Sequence, residues 1–279
     1  MRVRQPNFDF SRVRAHWSPV VEFAQMNNAI SVGVPAIERF LNRVMAMARK
    51  EIKGTDAKSE QLRADISTFI KQEACHYSMH EQLNAALLRD GYDEIPEIQK
   101  EIEAHYARLL ETKSLRFLLA YCEGFETIGP ASAMAWCGDE FDPYLEGADE
   151  NIVMMYKWHL LEEFEHRHVC YDTYKRLGGS YFMRIYGFFY QLRCFNKFAA
   201  LASRHLTRVD RKTMTSEEIE RSRERRKAVQ KTMKNAVARN LYKVVNPFYK
   251  PHILPYPKHW EAVNAAIDRD WQGGRATAA

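Results

Sequence analysis

Helical spacing of apolar residues recurs through almost the whole chain, whereas alternating Val, Ile and Thr runs are scarce and no Asn-Gly or Asp-Gly pair joins two strand-like segments. The chain is therefore expected to be all-α. Helices are expected at about 19–50, 57–90, 97–137, 149–177, 180–205 and 215–242. The breaks between them are legible: "KGTDAKSE", "RDGYDEIPE" with Gly91 as a C-cap and Pro96 as a restart, and "GDEFDPYLEGADE". Four long helices joined in this way make a bundle, in which facing helices can build a metal site. The segment after 243, "VVNPFYKPHILPYPKHW", is rich in Pro and Tyr and is expected to be irregular.

With 279 residues, 46% of them apolar, the chain has enough material for one large core. We expect one helical domain over 1–279, with a bundle at about 19–177 and a C-terminal extension at about 180–279. The net charge of +5 arises mostly after residue 203, so it is not a nucleic-acid signature. Five cysteines form no C-x-x-C pair and sit in apolar helical text, which points to reduced thiols and a cytoplasmic protein. The start, "MRVRQPNFDF", has no apolar run and does not read as a signal peptide. Segment 181–198, "YFMRIYGFFYQLRCFNKF", is aromatic on every side of a helical projection; burial against the bundle or a partner, or peripheral membrane contact, would satisfy it.

The chemistry concentrates in "WHLLEEFEHRHVCYD", residues 158–172. At about 100° per residue, His159, Glu163 and His166 fall within an arc of about 60°, in the company of Met155, Cys170 and Tyr174, which marks it as an inward face. Glu165 and His168 project to the opposite, charged side, and Glu162 lies at the edge. A second segment, "FIKQEACHYSMHEQLN", puts Glu73, His76, His80 and Asn84 on one stripe. A third, "FLLAYCEGFETIGPASAMAWCG", carries only two charged side chains, Glu123 and Glu126, in text that reads as buried helix. An uncompensated buried carboxylate costs several kcal/mol, so such a group is protonated, paired or bound to a cation. Glu38, in "MNNAISVGVPAIERF", has one charged neighbour, Arg39; a pairing with an arginine and a ligand role are both open to it.

Glu38, Glu73-x-x-His76, Glu123 and Glu163-x-x-His166 come from four successive helices, the donor pattern of ferritin-like di-iron and di-manganese proteins. The segments "NFDFSRVRAHW", "VPAIERFL", "FIKQEACHYSMHEQLN", "CEGFET" and "WHLLEEFEHRHVCYD" resemble, in this order, the bacterial family of predicted metal-dependent hydrolases, a ferritin-like group. The resemblance implies a ferritin-like four-helix bundle with additional C-terminal helices. It also implies two metal ions held by Glu38, Glu73, His76, Glu123, Glu163 and His166. The spacing His159-x-x-x-Glu163-x-x-His166 is also similar to that of ferritin-like arylamine N-oxygenases, which implies His159 as a seventh ligand; hydrogen bonding to a ligand carboxylate is its alternative. Glu126, one turn after Glu123, is held in reserve as a ligand or a base, and His80, one turn after His76, as a hydrogen-bond partner behind the ligands or a proton shuttle.

The expected function is that of a di-iron oxidoreductase, which uses dioxygen and an electron donor to oxidise a small, hydrophobic organic molecule. The alternatives are a di-metal hydrolase acting through a metal-activated water, and non-enzymatic iron storage. Iron is the expected metal, with manganese or a mixed pair also suited to carboxylate and imidazole donors. A homodimer is the expected assembly.

Overall fold

The computed structural model describes residues 1–277, and among them there is no strand. α1 (Val21–Glu51) and α2 (Ala57–Arg89) follow the expected boundaries closely. Asp56 caps α2 by accepting from the Ser59 amide at 3.1 Å, and Gly91 (φ +94°) ends it. There Gly91 N donates to Leu88 O and Tyr92 N to Leu87 O, which satisfies carbonyls that the helix leaves open. The two helices run antiparallel: Ser31 meets Asn84, Asn42 donates to the Ile70 carbonyl, and Arg63 reaches the Ile52 carbonyl.

The single helix expected over 97–137 is three: α3 (Ile95–Thr112), α4 (Leu115–Glu126) and α5 (Ile128–Trp136). Ser114 caps α4 through the Phe117 amide, so the chain restarts after α3 instead of continuing it. Pro130 cannot donate to the Glu126 carbonyl and its ring crowds it, which accounts for the break at Thr127. A short turn, α6 (Asp142–Leu145), precedes α7 (Glu150–His166), whose N-cap Asp149 accepts from the Asn151 and Ile152 amides. The expected 149–177 helix also divides, with α8 (Val169–Arg176) following. At the division Arg167 Nη1 donates to the Phe164 carbonyl at 2.5 Å, competing with the helical ladder.

α9 (Tyr181–Asp210) packs on α1 and α4, and α10 (Ser216–Leu241), opened by a Thr215/Glu218 capping box, packs on α5. α9 and α4 approach closely because both present glycine at the crossing. A Cβ on Gly124 would lie 2.7 Å from Phe188 Cα, and one on Gly187 2.6 Å from the Ala120 carbonyl oxygen. The segment after 243 is irregular only in part. Beyond short 3₁₀ turns it forms α11 (Trp260–Thr277), where Val263 and Ile267, four residues apart, bury against Trp158 and Leu161 of α7.

Two apolar clusters dominate the interior. One gathers Phe40, Val44 and Met45 of α1, Ile66 and Phe69 of α2, Leu118–Cys122 of α4 and Val169 of α8. The other gathers Phe23, Leu83, Trp136, Ile152, Met155 and Tyr156. Along α2 and α7–α8 the sequence between these clusters holds residues 73–80 and residues 159–166, while Glu38 of α1 follows Ile37 and precedes Phe40 of the first cluster. The polar side chains thus occupy a middle level of the helix assembly, with apolar layers on both sides.

Candidate metal centre

Four helical segments deliver side chains to that middle level. α1 gives Glu38, α2 gives Glu73 and His76, α4 gives Glu126, and α7 gives His159, Glu163 and His166. They form two groups. In the first, one donor atom each from Glu38, His76, His159 and Glu163 lie within 4.8 Å of one another; in the second, Glu73, Glu126, Glu163 and His166 do so. Glu163 belongs to both. Ligands about 2.1 Å from a common ion stand at most about 4.2 Å apart, so only a slight contraction separates these groups from coordination distances.

Glu123, expected as the donor from the third segment, belongs to neither group. Its carboxylate turns away from the groups and accepts from Arg184 of α9 at 3.3 Å, while Arg184 also donates to the Val244 and Asn246 carbonyls. Burial pushes Glu123 up to about 7 against the pull of that guanidinium. Glu126, one turn on, faces the donors instead, with Oε2 3.2 Å from His166 Nε2.

Each imidazole directs one nitrogen at the donors and holds a partner with the other. His166 Nε2 lies 3.2 Å from Glu73 Oε1, 3.2 Å from Glu126 Oε2 and 3.3 Å from Glu163 Oε2, while its Nδ1 meets Gln72 Oε1 at 3.3 Å. His159 Nε2 lies 3.3 Å from Glu38 and 3.1 Å from Glu163, and its Nδ1 meets His80 Nε2 at 2.8 Å. His76 Nε2 meets Glu162 Oε2 at 3.1 Å, which leaves Nδ1 toward Glu73 and Glu163, 3.7 Å from each. An outer acceptor on the far nitrogen fixes the tautomer and aims the other lone pair, as metal-binding histidines require.

His80 therefore stands behind the donor groups: it joins His159 to Ser31 Oγ, 2.8 Å from its Nδ1, and Ser31 donates to Asn84. Glu162 resolves inward, fully buried between His76 and Arg4. Glu165, expected in solvent, is largely covered and accepts from Arg4 Nη2 at 2.6 Å. Arg4 is the residue that sequence reasoning missed. It is a buried guanidinium from an N-terminal segment without helical pattern, so no periodicity marks its destination.

The site has the chemistry of a cation site. Both oxygens of Glu38, Glu73 and Glu126, Oε2 of Glu163, Nδ1 of His76 and Nε2 of His166 are buried without a hydrogen-bond partner. Orphaned buried atoms are costly, and here they converge on two points. With protons as the only cations, burial pushes Glu38 and Glu126 up to about 7 and Glu73 well above the carboxylate range. Burial also opposes charge on His159 and His166, yet their carboxylate neighbours, Glu38 and Glu163 for the first and Glu163 and Glu126 for the second, lift both to about 10. Burial likewise works against Glu163, but His166 and His159 hold it well below the usual range. Positive charge is thus drawn to two places around Glu163, where divalent ions would supply it.

Gly129 makes room for that shared carboxylate. A Cβ there would overlap Glu163 Oε2 and lie 2.9 Å from Glu163 Cβ, so only glycine lets α5 lie this close to α7.

Fold and site together define an all-α protein with buried carboxylate–imidazole clusters of the metal-binding type. The chain belongs to the family of predicted metal-dependent hydrolases, whose model matches residues 2–254. No curated protein and no solved structure matches it.

Proposed function

We propose that the chain is a two-metal hydrolase in which Glu38, His76 and His159 hold one ion, Glu73, Glu126 and His166 hold the other, and Glu163 is shared. The sharing of Glu163 between two complete donor groups is the observation that carries the two-ion reading, and family membership favours hydrolysis. When bound, two divalent ions lower the pKa of a water and polarise an ester, amide or phosphoryl oxygen. The chain's own residues then have separable tasks. Gln72, His80 and Glu162 keep each imidazole aimed inward. Glu126 takes the proton of the attacking water through a carboxylate oxygen that lacks a protein partner. The apolar layers on either side exclude bulk water, which strengthens every charge interaction between them.

A second reading, oxidation of a small hydrophobic molecule by dioxygen with iron and an external electron donor, is favoured by enclosure. No residue of either donor group is more than 7% exposed, and His159 has that highest value. One experiment separates the two. The protein is loaded anaerobically with ferrous iron and mixed with air, and separately loaded with zinc or manganese and offered ester substrates. Turnover of esters with zinc or manganese, and no visible spectral change with iron in air, is the hydrolase outcome. A transient visible band without esterase activity overturns hydrolysis in favour of oxidation.

A further inference from the structure

No helix among the described residues is long and apolar enough to cross a membrane, yet one face of the molecule is apolar and outward. α9 buries Arg184, Gly187, Phe188 and Gln191 and turns Phe182, Tyr186 and Phe189 to solvent, at helical steps of four and three. The chain from 242 to 249 lies alongside. Tyr181 Oη donates to the Val245 carbonyl at 2.6 Å, Arg184 holds the Val244 carbonyl at 2.7 Å, and Phe188 packs with Val244 and Tyr249. That segment adds exposed Tyr242, Val245 and Phe248 to the same face. Phe182 is 83% exposed and Phe248 86%, values that large aromatic side chains rarely keep on a free surface.

The two chain segments that form this face carry charge of one sign. Residues 173–209 and 225–260, which contain both of its segments, include no Asp or Glu. Arg193 continues the exposed stripe of α9, Lys243 interrupts the second segment, and Lys113 lies over the Phe117 ring, which itself packs on Tyr186. All three cations are exposed, and none forms an ion pair among the described residues. A second copy brought against this face by a two-fold axis would oppose like charges, whereas a bilayer with anionic headgroups offers both the apolar depth and the complementary sign.

We propose that the outer face of α9 and residues 242–248 dock on an anionic lipid bilayer, with Phe182, Phe189 and Phe248 inserted below the headgroups and Arg193, Lys243 and Lys113 at their level. This is the arrangement of an interfacial protein that lies on a membrane without spanning it. It is independent of the chemistry at the metal centre. The test is co-sedimentation of the full chain with phosphatidylcholine vesicles, with and without phosphatidylserine. We expect binding that requires phosphatidylserine, is released by high salt, and falls by about tenfold or more in the double variant Phe182→Ser, Phe248→Ser. Retained helical circular dichroism shows that this variant folds; a second variant, Arg193→Glu with Lys243→Glu, leaves the aromatics in place and is expected to lose the phosphatidylserine dependence. Absence of binding to phosphatidylserine vesicles at low salt would overturn the proposal. So would equal binding by the wild type and both variants, or a dimer by analytical ultracentrifugation that the double Ser variant dissolves.

Discussion

The two donor groups share Glu163 but are not alike. The first has two imidazoles and two carboxylates, Glu38, His76, His159 and Glu163; the second has one imidazole and three carboxylates, Glu73, Glu126, Glu163 and His166. Their surroundings differ in the same sense. In contact with the imidazoles of the first stand a carboxylate, Glu162, and an imidazole, His80, whereas the imidazole of the second meets the neutral amide of Gln72. The first group should therefore favour a borderline ion and the second a harder one, from donor chemistry alone. A site that looks symmetrical as a pattern of E-x-x-H pairs is asymmetric in space, because His76 serves the first group while Glu73, three residues earlier, serves the second.

The largest expected effect comes from the residue common to both halves. Glu163→Ala should remove both ions, read by elemental analysis of the purified protein; retention of one full equivalent would show that the groups are independent. Next come substitutions confined to one half. His159→Ala and Glu126→Ala should each remove about one equivalent, leaving complementary halves that differ in their preference for zinc over manganese by competition titration. If either variant loses both ions, the halves are cooperative and the comparison fails. Glu162→Gln keeps an acceptor beside His76 but loses its charge, and should weaken the first ion's binding by about 10- to 100-fold without affecting the second. The smallest effect on metal is expected at Glu123. Glu123→Ala should leave both ions in place while lowering unfolding stability by about 3 kcal/mol, since it strands buried Arg184. Denaturant unfolding beside metal analysis checks both halves of that statement.

That last pair of glutamates marks where the sequence stops being informative. Helical periodicity places Glu73 and His76, or Glu163 and His166, on one stripe, because both members ride on the same rigid element. It cannot choose between Glu123 and Glu126, since the choice depends on Arg184 arriving from a helix about sixty residues away and on the turn of the backbone at Thr127. The all-α class and the limits of α1, α2 and α10 follow from local caps and spacing. The division of the 97–137 and 149–177 segments was less legible. Pro130 is visible as a breaker, but the competition of Arg167 for the Phe164 carbonyl is a three-dimensional event. α11 was hidden by the Pro- and Tyr-rich text that precedes it, although Val263 and Ile267 carry helical spacing.

The N-terminal segment gains a role that its composition does not announce. Arg4 clasps Glu162 behind His76, and the Arg2 carbonyl accepts from Gln72 at 3.0 Å, behind His166. A handful of residues with no regular structure therefore acts as a strap behind both halves of the centre. A protease that trims these residues would leave every donor in place and still loosen two of the three imidazoles, so a cut in irregular chain that supplies no donor would register at the enclosed centre.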